Sequence, residues 1–301
     1  MCEVARSDEH SVYVFTCNEF PVDKESVDLK LALVNVGLLL GSHVVGFIDR
    51  RIRHRFKVHV HGGVLRSLEQ SLERGSFGVH PRDDHRILDA KLLDDLGSGS
   101  GEMLCSWARD HQIVGTGVDM SLLFSQQAAA RAEELGVSDR VTFVHQDASG
   151  YVASQPCDIA ACVGATWIGG GVAGTIALLK QSLNPGGMLL IGEPWWRKRP
   201  ATAEEAVACG AQSPDDFLTL PALVAHFGEL GYDVVEMVLA DQEGWDRYEA
   251  AKWLTMRRWL EANPHDDFAP EVRQQLTTAP LHHVTWTREY LGWGVFVLMA
   301  R

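Results

Sequence analysis

The apolar run Lys91–Leu96 breaks into three glycines at alternate positions and then into a helical pattern, KLLDDLGSGSGEMLCSWARD over Lys91–Asp110. A strand that turns through Gly97, Gly99 and Gly101 into a helix lets its backbone approach a ligand closely. Such a unit belongs to sheets whose parallel strands are joined by helices. The rest of the chain keeps that rhythm. Strands are predicted over Ile113–Asp119, Val141–Asp147, Asp158–Gly164 and Met188–Glu193, with helices over Glu102–Asp110, Leu122–Leu135 and Thr175–Leu183. Asn184–Gly187, NPGG, reads as the turn into the Met188 strand. A doubly wound α/β sheet is the expected architecture.

The ligand is constrained by charge. A phosphate loop of the GxxxxGK[ST] type is excluded, because no lysine follows Gly101. A dinucleotide fingerprint, GxGxxG, fits Gly97 and Gly99 but meets Glu102 where the third glycine belongs. Asp94, Asp95 and Glu102 also surround the loop with negative charge, which disfavours pyrophosphate at the helix N-terminus. A ligand that wants an acid here presents an amino group or a sulfonium.

At this point the chain resembles the class I S-adenosylmethionine-dependent methyltransferases. DLGSGSGE is similar to their first motif, and GTGVDMS and HQDAS place Asp119 and Asp147 at the ends of the next two strands. NPGGMLLIGE resembles the turn into their fifth strand, and DVVEMVLA and WGVFVLMA resemble their closing antiparallel hairpin. The resemblance implies a seven-stranded, mostly parallel sheet with an antiparallel last strand, and S-adenosylmethionine as cofactor. It implies that Asp95 meets the methionine amino group and that Gly97, Ser98, Gly99 and Gly101 lie against the methionine and ribose. Asp119 takes the ribose hydroxyls, with Met120 beside the adenine. Asp147 takes the adenine amino group, Ala148 lies at the adenine edge, and Val163 and Gly164 lie near the transferable methyl. One residue departs from the pattern: Asp94 stands where the family has an apolar side chain, and a buried carboxylate without a partner is costly.

An activated methyl donor leaves the protein mainly to align the acceptor. Acceptor contacts are expected from loops beyond the strand ends, at Trp167, Trp195 and Trp196. Glu193, His226, His282 and His283 are the candidates for a general base, needed only if the nucleophile arrives protonated. The segment 197–220 carries two helix-start signatures, Thr202 with Glu205 and Ser213 before Pro214, and reads as a lid or as a solvated insertion. Helices are expected at Pro221–Leu230 and Asp246–Asn263, the latter within a helical insertion over 245–290. The strand Trp293–Ala300 is apolar on both faces and is therefore expected inside the sheet.

Acceptor class follows from what is missing. VGATWIGGG after the fourth strand lacks the [DNS]PP[YF] pattern of adenine and cytosine amino methyltransferases, and Cys162 lacks the proline neighbour of the cytosine-carbon enzymes. A formal net charge of −13 disfavours a phosphate-backbone footprint. A small-molecule acceptor is therefore expected, with no nucleic-acid partner, and a protein acceptor stays open. The six scattered cysteines make no CxxC pair or zinc spacing, so no metal is expected, and reduced thiols fit a cytoplasmic protein. No cleavable signal peptide is evident at Met1–His10. Residues 1–86 form an N-terminal extension of undetermined structure ahead of the domain at 87–301. Within it Leu31–Ile48 is apolar but diluted by Asn35, Ser42, His43 and three glycines, and reads as a buried element rather than a membrane span. Two readings compete with a methyltransferase: a nicotinamide-dependent oxidoreductase, for which Asp119 would hold a ribose equally well, and a non-catalytic cofactor-binding module.

Overall fold

Strand β1, Leu92–Leu96, ends in the glycine loop, and its residues Leu93–Leu96 are all buried. A computed structural model describes residues 91–301 together with the two-residue strands Cys2–Glu3 and Thr16–Cys17, which pair antiparallel. The apolar run Leu31–Ile48 and the rest of the N-terminal extension lie outside the described residues. Among the described residues no helix is long and apolar enough to cross a membrane.

Helix α1, Glu102–His111, leaves the loop with Met103, Leu104, Trp107 and Ala108 buried against the sheet. After β2, Val114–Asp119, helix α2 runs over Leu122–Leu135, the bounds its sequence predicts. Both ends are chemically specified. The Ser121 hydroxyl accepts from Phe124 N at the start, and Gly136 takes the left-handed conformation that stops the helix. Next come β3 (Val141–His145), β4 (Cys157–Val163), α3 (Val172–Leu179) and β5 (Leu183–Trp196). A short helix α4 (Ala203–Ala208), α5 (Leu220–Glu229) and β6 (Tyr232–Leu239) follow. Helices α6 (Gln242–Ala262) and α7 (Ala269–His282) precede a π-helical turn, His283–Thr287, and the last strand β7, Leu291–Ala300.

The seven strands form one sheet in the order β3-β2-β1-β4-β5-β7-β6. Pairings from β3 through to β5 are parallel, and β7 runs antiparallel between β5 and β6. This matches the expected fold. The interior place of β7 explains its two apolar faces: Trp293, Val295 and Val297 pack on one side, Phe296 and Leu298 on the other. Helices α1, α2 and the start of α6 cover the first face, and α3 and α5 cover the second.

Two local expectations are corrected. NPGG does not separate a turn from a strand; it lies inside β5, where the pairing jumps from Cys157↔Leu183 to Ile159↔Met188. The excursion is tied down by the Asn184 side-chain amide, which donates to Asp158 Oδ1 at 3.0 Å. Ser213–Pro214 starts no helix. Asp216 accepts from Gln212 N and from the Ser213 hydroxyl, closing a turn instead. By contrast Thr202 caps α4 as predicted, accepting from Glu205 N at 3.2 Å.

Helix α6 starts just past the end of β6, and β7 begins opposite the end of β5, with Trp196 paired to Leu291. The helical insertion therefore rises from the same sheet edge as the glycine loop. It has its own core of Met256, Trp259, Leu260, Ala269 and Val272. The segment 197–220 likewise packs on a small core, in which Trp196, Ala206, Cys209 and Tyr290 are buried.

Candidate active site

The glycine loop has a backbone only glycine adopts easily. Gly97, Gly99 and Gly101 have φ of 76°, 55° and 71°. A Cβ at Gly97 would stand 2.6 Å from Ala165 Cβ, and one at Gly101 would stand 2.6 Å from Phe143 Cζ. Gly101→Ala is therefore expected to cost about 3 kcal/mol from the left-handed backbone and overpacking together, read as a lowered urea midpoint. Gly97 N and Ser98 N both donate to Val118 O, so the loop is pinned to the end of β2.

Asp119 links the loop to the next helix. Its Oδ2 accepts from Gly99 N at 2.9 Å and its Oδ1 from Ser121 N at 2.8 Å. Each oxygen keeps a second lone pair for a ligand hydroxyl. Burial holds its carboxyl above the usual range despite those two donors.

The three acids around the loop separate by environment. Glu102 pairs with Arg131 of α2, whose Nε also donates to Ser100 O at 3.1 Å, so its charge is neutralised within the protein. Asp94 points to the sheet face away from α1, beside Thr116 and Cys157, and burial raises its pKa. Among the described residues no cation reaches it and β1 stays regular, so the carboxyl is accommodated by neighbouring hydroxyl and thiol groups, with Oδ2 left without a hydrogen bond. Asp95 is the remaining one. It is 4% exposed, its Oδ1 has no partner, and burial followed by the charges of Asp119 and Asp94 pushes its pKa up to about 7. A buried carboxylate with an open oxygen at a glycine loop is complementary to a cationic group on a ligand.

The other predicted residues spread along this edge. Asp147 caps the 3-10 turn Ala148–Gly150, its carboxylate accepting from Ser149 N and Ser149 Oγ. Ala148 is buried beneath it, while Met120 is exposed beyond β2. Val163 closes β4, and Gly164 N donates to Gly192 O at 2.9 Å. Trp167 is 45% exposed in the turn after β4. Glu193 is buried near the end of β5 and accepts from Thr166 Oγ1 at 2.7 Å. Burial pushes its pKa up to about 7, the Thr166 hydrogen bond opposing.

The remaining candidates are drawn into structure. Trp195 is buried in the sheet core, with the Arg197 guanidinium 5.2 Å above its ring. Trp196 is 1% exposed, its Nε1 donating to Pro214 O at 3.0 Å, and it anchors the 197–220 segment rather than lining the edge. Trp196→Ala is expected to cost about 3–5 kcal/mol in thermal unfolding and to leave cofactor affinity of the folded protein unchanged. His226 sits near the end of α5, beside the turn where Arg301 N donates to Gly231 O. That is the opposite sheet edge, away from the glycine loop. His282 is exposed at the end of α7. His283 is buried, with Nε2 at 2.9 Å from Asp246 Oδ1 and Nδ1 at 2.8 Å from Thr287 Oγ1. Arg288 Nε donates to both Asp246 oxygens, so these side chains latch α6 to the π-turn. Both ring nitrogens are occupied there, and no general base results.

Sequence reasoning missed Thr166, Arg131 and the Asp246 latch. Thr166 follows β4 by three residues, and its only advance signal is that position at the active edge. Among the described residues no group of three or more His, Cys, Asp or Glu gathers as a metal site.

Known proteins match this arrangement. A family model for a methyltransferase domain covers residues 94–187. The uncharacterized Escherichia coli (strain K12) protein YjhP is 72% identical over 216 residues, which is 72% of this chain and 87% of YjhP. A SAM-dependent methyltransferase from Geobacter sulfurreducens, solved in complex with S-adenosyl-L-homocysteine, is 59% identical. The match covers 85% of this chain and 100% of that one, with a TM-score of 0.71. A second, from Thiobacillus denitrificans and likewise in complex with S-adenosyl-L-homocysteine, is 56% identical with a TM-score of 0.70, covering 84% of this chain and 99% of that one. The chain belongs to the S-adenosylmethionine-dependent methyltransferases. Its residues fit that family's cofactor, since Asp95 presents an unpartnered oxygen and the positive-φ positions Gly97, Gly99 and Gly101 carry no side chain.

Proposed function

We propose that this protein transfers the methyl group of S-adenosylmethionine to a small-molecule acceptor, as a cytoplasmic enzyme. One observation carries the cofactor reading: Asp95, buried at the glycine loop with Oδ1 unpaired, is complementary to an ammonium and opposed to a pyrophosphate. The same charge disfavours a nicotinamide dinucleotide. When bound, the cofactor supplies an already activated methyl on a sulfonium.

The chain's own residues then bind and orient. Asp95 holds the methionine ammonium, while Gly97, Ser98, Gly99 and Gly101 lie along the methionine and ribose. Asp119 accepts from the ribose hydroxyls, and its bonds from Gly99 N and Ser121 N fix its orientation beforehand. Met120 and Ala148 flank the adenine, Asp147 accepts from its amino group, and Val163 and Gly164 border the methyl. Trp167 offers an exposed aromatic face to the acceptor. Segment 197–220 is assigned as the lid over the acceptor, anchored through Trp196. Buried free thiols at Cys105, Cys157, Cys162 and Cys209 suit a reducing compartment.

The test is transfer of labelled methyl from S-adenosylmethionine to a panel of small amines, thiols, phenols and carboxylic acids. Labelled product on one class supports the reading, and none on any class contradicts it.

A further inference from the structure

We propose that Glu193, positioned by Thr166, accepts the proton of the acceptor nucleophile, and that the acceptor is therefore a hydroxyl or amine compound rather than a carboxylate. The inference rests on the methyl-transfer reading above.

Glu193 lies one residue past the last β4–β5 pair, Val163↔Gly192, and so stands at the carboxyl edge where Val163 and Gly164 end β4. Its Oε2 is held by Thr166 Oγ1 at 2.7 Å, and no other described side chain hydrogen-bonds to the carboxylate. Thr166 is itself fixed, because its carbonyl accepts from the fully buried Thr175 Oγ1 at 2.6 Å. A chain of two threonines thus orients one oxygen and leaves Oε1 for a ligand. Cys162, in the last turn of pleat of β4, feels the charges of both Asp95 and Glu193. The end of β4 accordingly lies between the acid assigned to the cofactor and the acid assigned to the acceptor.

No Lys, Arg or His pairs with Glu193 among the described residues, and burial with only a hydroxyl partner costs free energy. Charge balance during transfer explains its presence. The nucleophile's lone pair forms a bond to the methyl carbon, and the carbon–sulfur bond breaks with its electrons passing to sulfur. The nucleophile's proton passes to Glu193 Oε1. One sulfonium and one carboxylate become a neutral thioether and a neutral carboxylic acid, which returns its proton to water. An acceptor that is already a carboxylate brings no proton to remove and meets like charge at Glu193. Burial that pushes the carboxyl up to about 7 also matches it to proton transfer near neutral pH.

The direct test needs no acceptor. In protein labelled with [δ-13C]glutamate and saturated with S-adenosylhomocysteine, one carboxyl resonance should titrate near neutral pH. It should be absent in Glu193→Gln, and in Thr166→Val it should titrate at higher pH, because the lost hydrogen bond had favoured the charged form. A Glu193 resonance titrating in the ordinary carboxylate range overturns the proposal. In methyl transfer to phenol, benzylamine, thiophenol and benzoate probes, wild-type kcat/KM should rise with pH to a plateau above neutrality, for phenol or benzylamine. Glu193→Gln should lower kcat by about a hundredfold with S-adenosylhomocysteine affinity within twofold of wild type. Unchanged kcat in Glu193→Gln, loss of cofactor binding with it, or turnover on benzoate alone or thiophenol alone each overturns the inference. A wild-type protein that methylates none of the probes contradicts instead the small-molecule reading beneath it, and with it this acceptor assignment.

Discussion

Asp119→Ala is expected to weaken S-adenosylhomocysteine binding by about a hundredfold to a thousandfold, since hydrogen bonds to a charged group contribute roughly 1.5–3 kcal/mol each. Two kinds of bond are lost together. The substitution removes the acceptor for the ribose hydroxyls, and it frees Gly99 N and Ser121 N, which the carboxylate holds at 2.9 and 2.8 Å. The glycine loop then loses its tie to the start of α2. Asp119→Asn keeps one carbonyl oxygen and should fall between wild type and the alanine variant. Calorimetry on the three proteins checks the order, and a melting curve for each shows that loss of binding is not loss of fold. Equal affinity in wild type and Asp119→Ala would remove Asp119 from the site.

Asp95→Asn should have opposite effects on stability and on binding. The folded-state pKa of Asp95 is pushed up to about 7 from its ordinary value of 3.8, so the folded protein holds this proton more tightly than the unfolded chain. That contribution to stability is complete below the unfolded value and is lost as pH rises through about 7. At pH 8 the free protein buries a carboxylate with one oxygen unpaired. Asparagine removes that charge, and coupling to Asp119 and Asp94 keeps the gain below the full linkage, at roughly 2 kcal/mol. The variant should melt higher than wild type at pH 8 and show less loss of stability between pH 5 and pH 8. Cofactor binding should weaken by about tenfold to a hundredfold, the loss of one desolvated charge pair. Wild-type affinity for S-adenosylhomocysteine should also tighten from pH 5.5 to pH 8, whereas the variant's should change little. A wild-type protein that binds equally well at both values would contradict an ion pair at Asp95.

Features with local causes were legible in the chain. Helix α2 has its bounds written in Ser121 and Gly136, and the glycine loop has its turn written in three positive-φ positions. The interior position of β7 followed from apolar residues on both faces. What escaped depends on partners distant in sequence. NPGG is a turn signal, yet strand pairing with β4 on both sides absorbs it as an excursion within β5. Ser213–Pro214 resembles a helix start, but Asp216 competes for the same backbone donors and closes a turn. Trp196 has the composition of a pocket aromatic, and only the return of 197–220 to Pro214 O and Phe217 makes it core. His283 resembled a base until Asp246, 37 residues away, took one ring nitrogen.

Asp94 and Asp95 show the same limit at its smallest scale. They are adjacent, identical and both buried, and pleat alone sends them to opposite sheet faces. Neighbouring hydroxyl and thiol groups accommodate Asp94, while Asp95 keeps one buried oxygen unpaired. Their different fates required the register of β2 and β4 against β1.

Calorimetric titration of the wild-type protein with S-adenosylhomocysteine, run beside NADH, decides the cofactor directly. One site per chain for S-adenosylhomocysteine and no heat from NADH is the expected result. Binding of NADH with no binding of S-adenosylhomocysteine would contradict the cofactor assigned to the loop at Asp95.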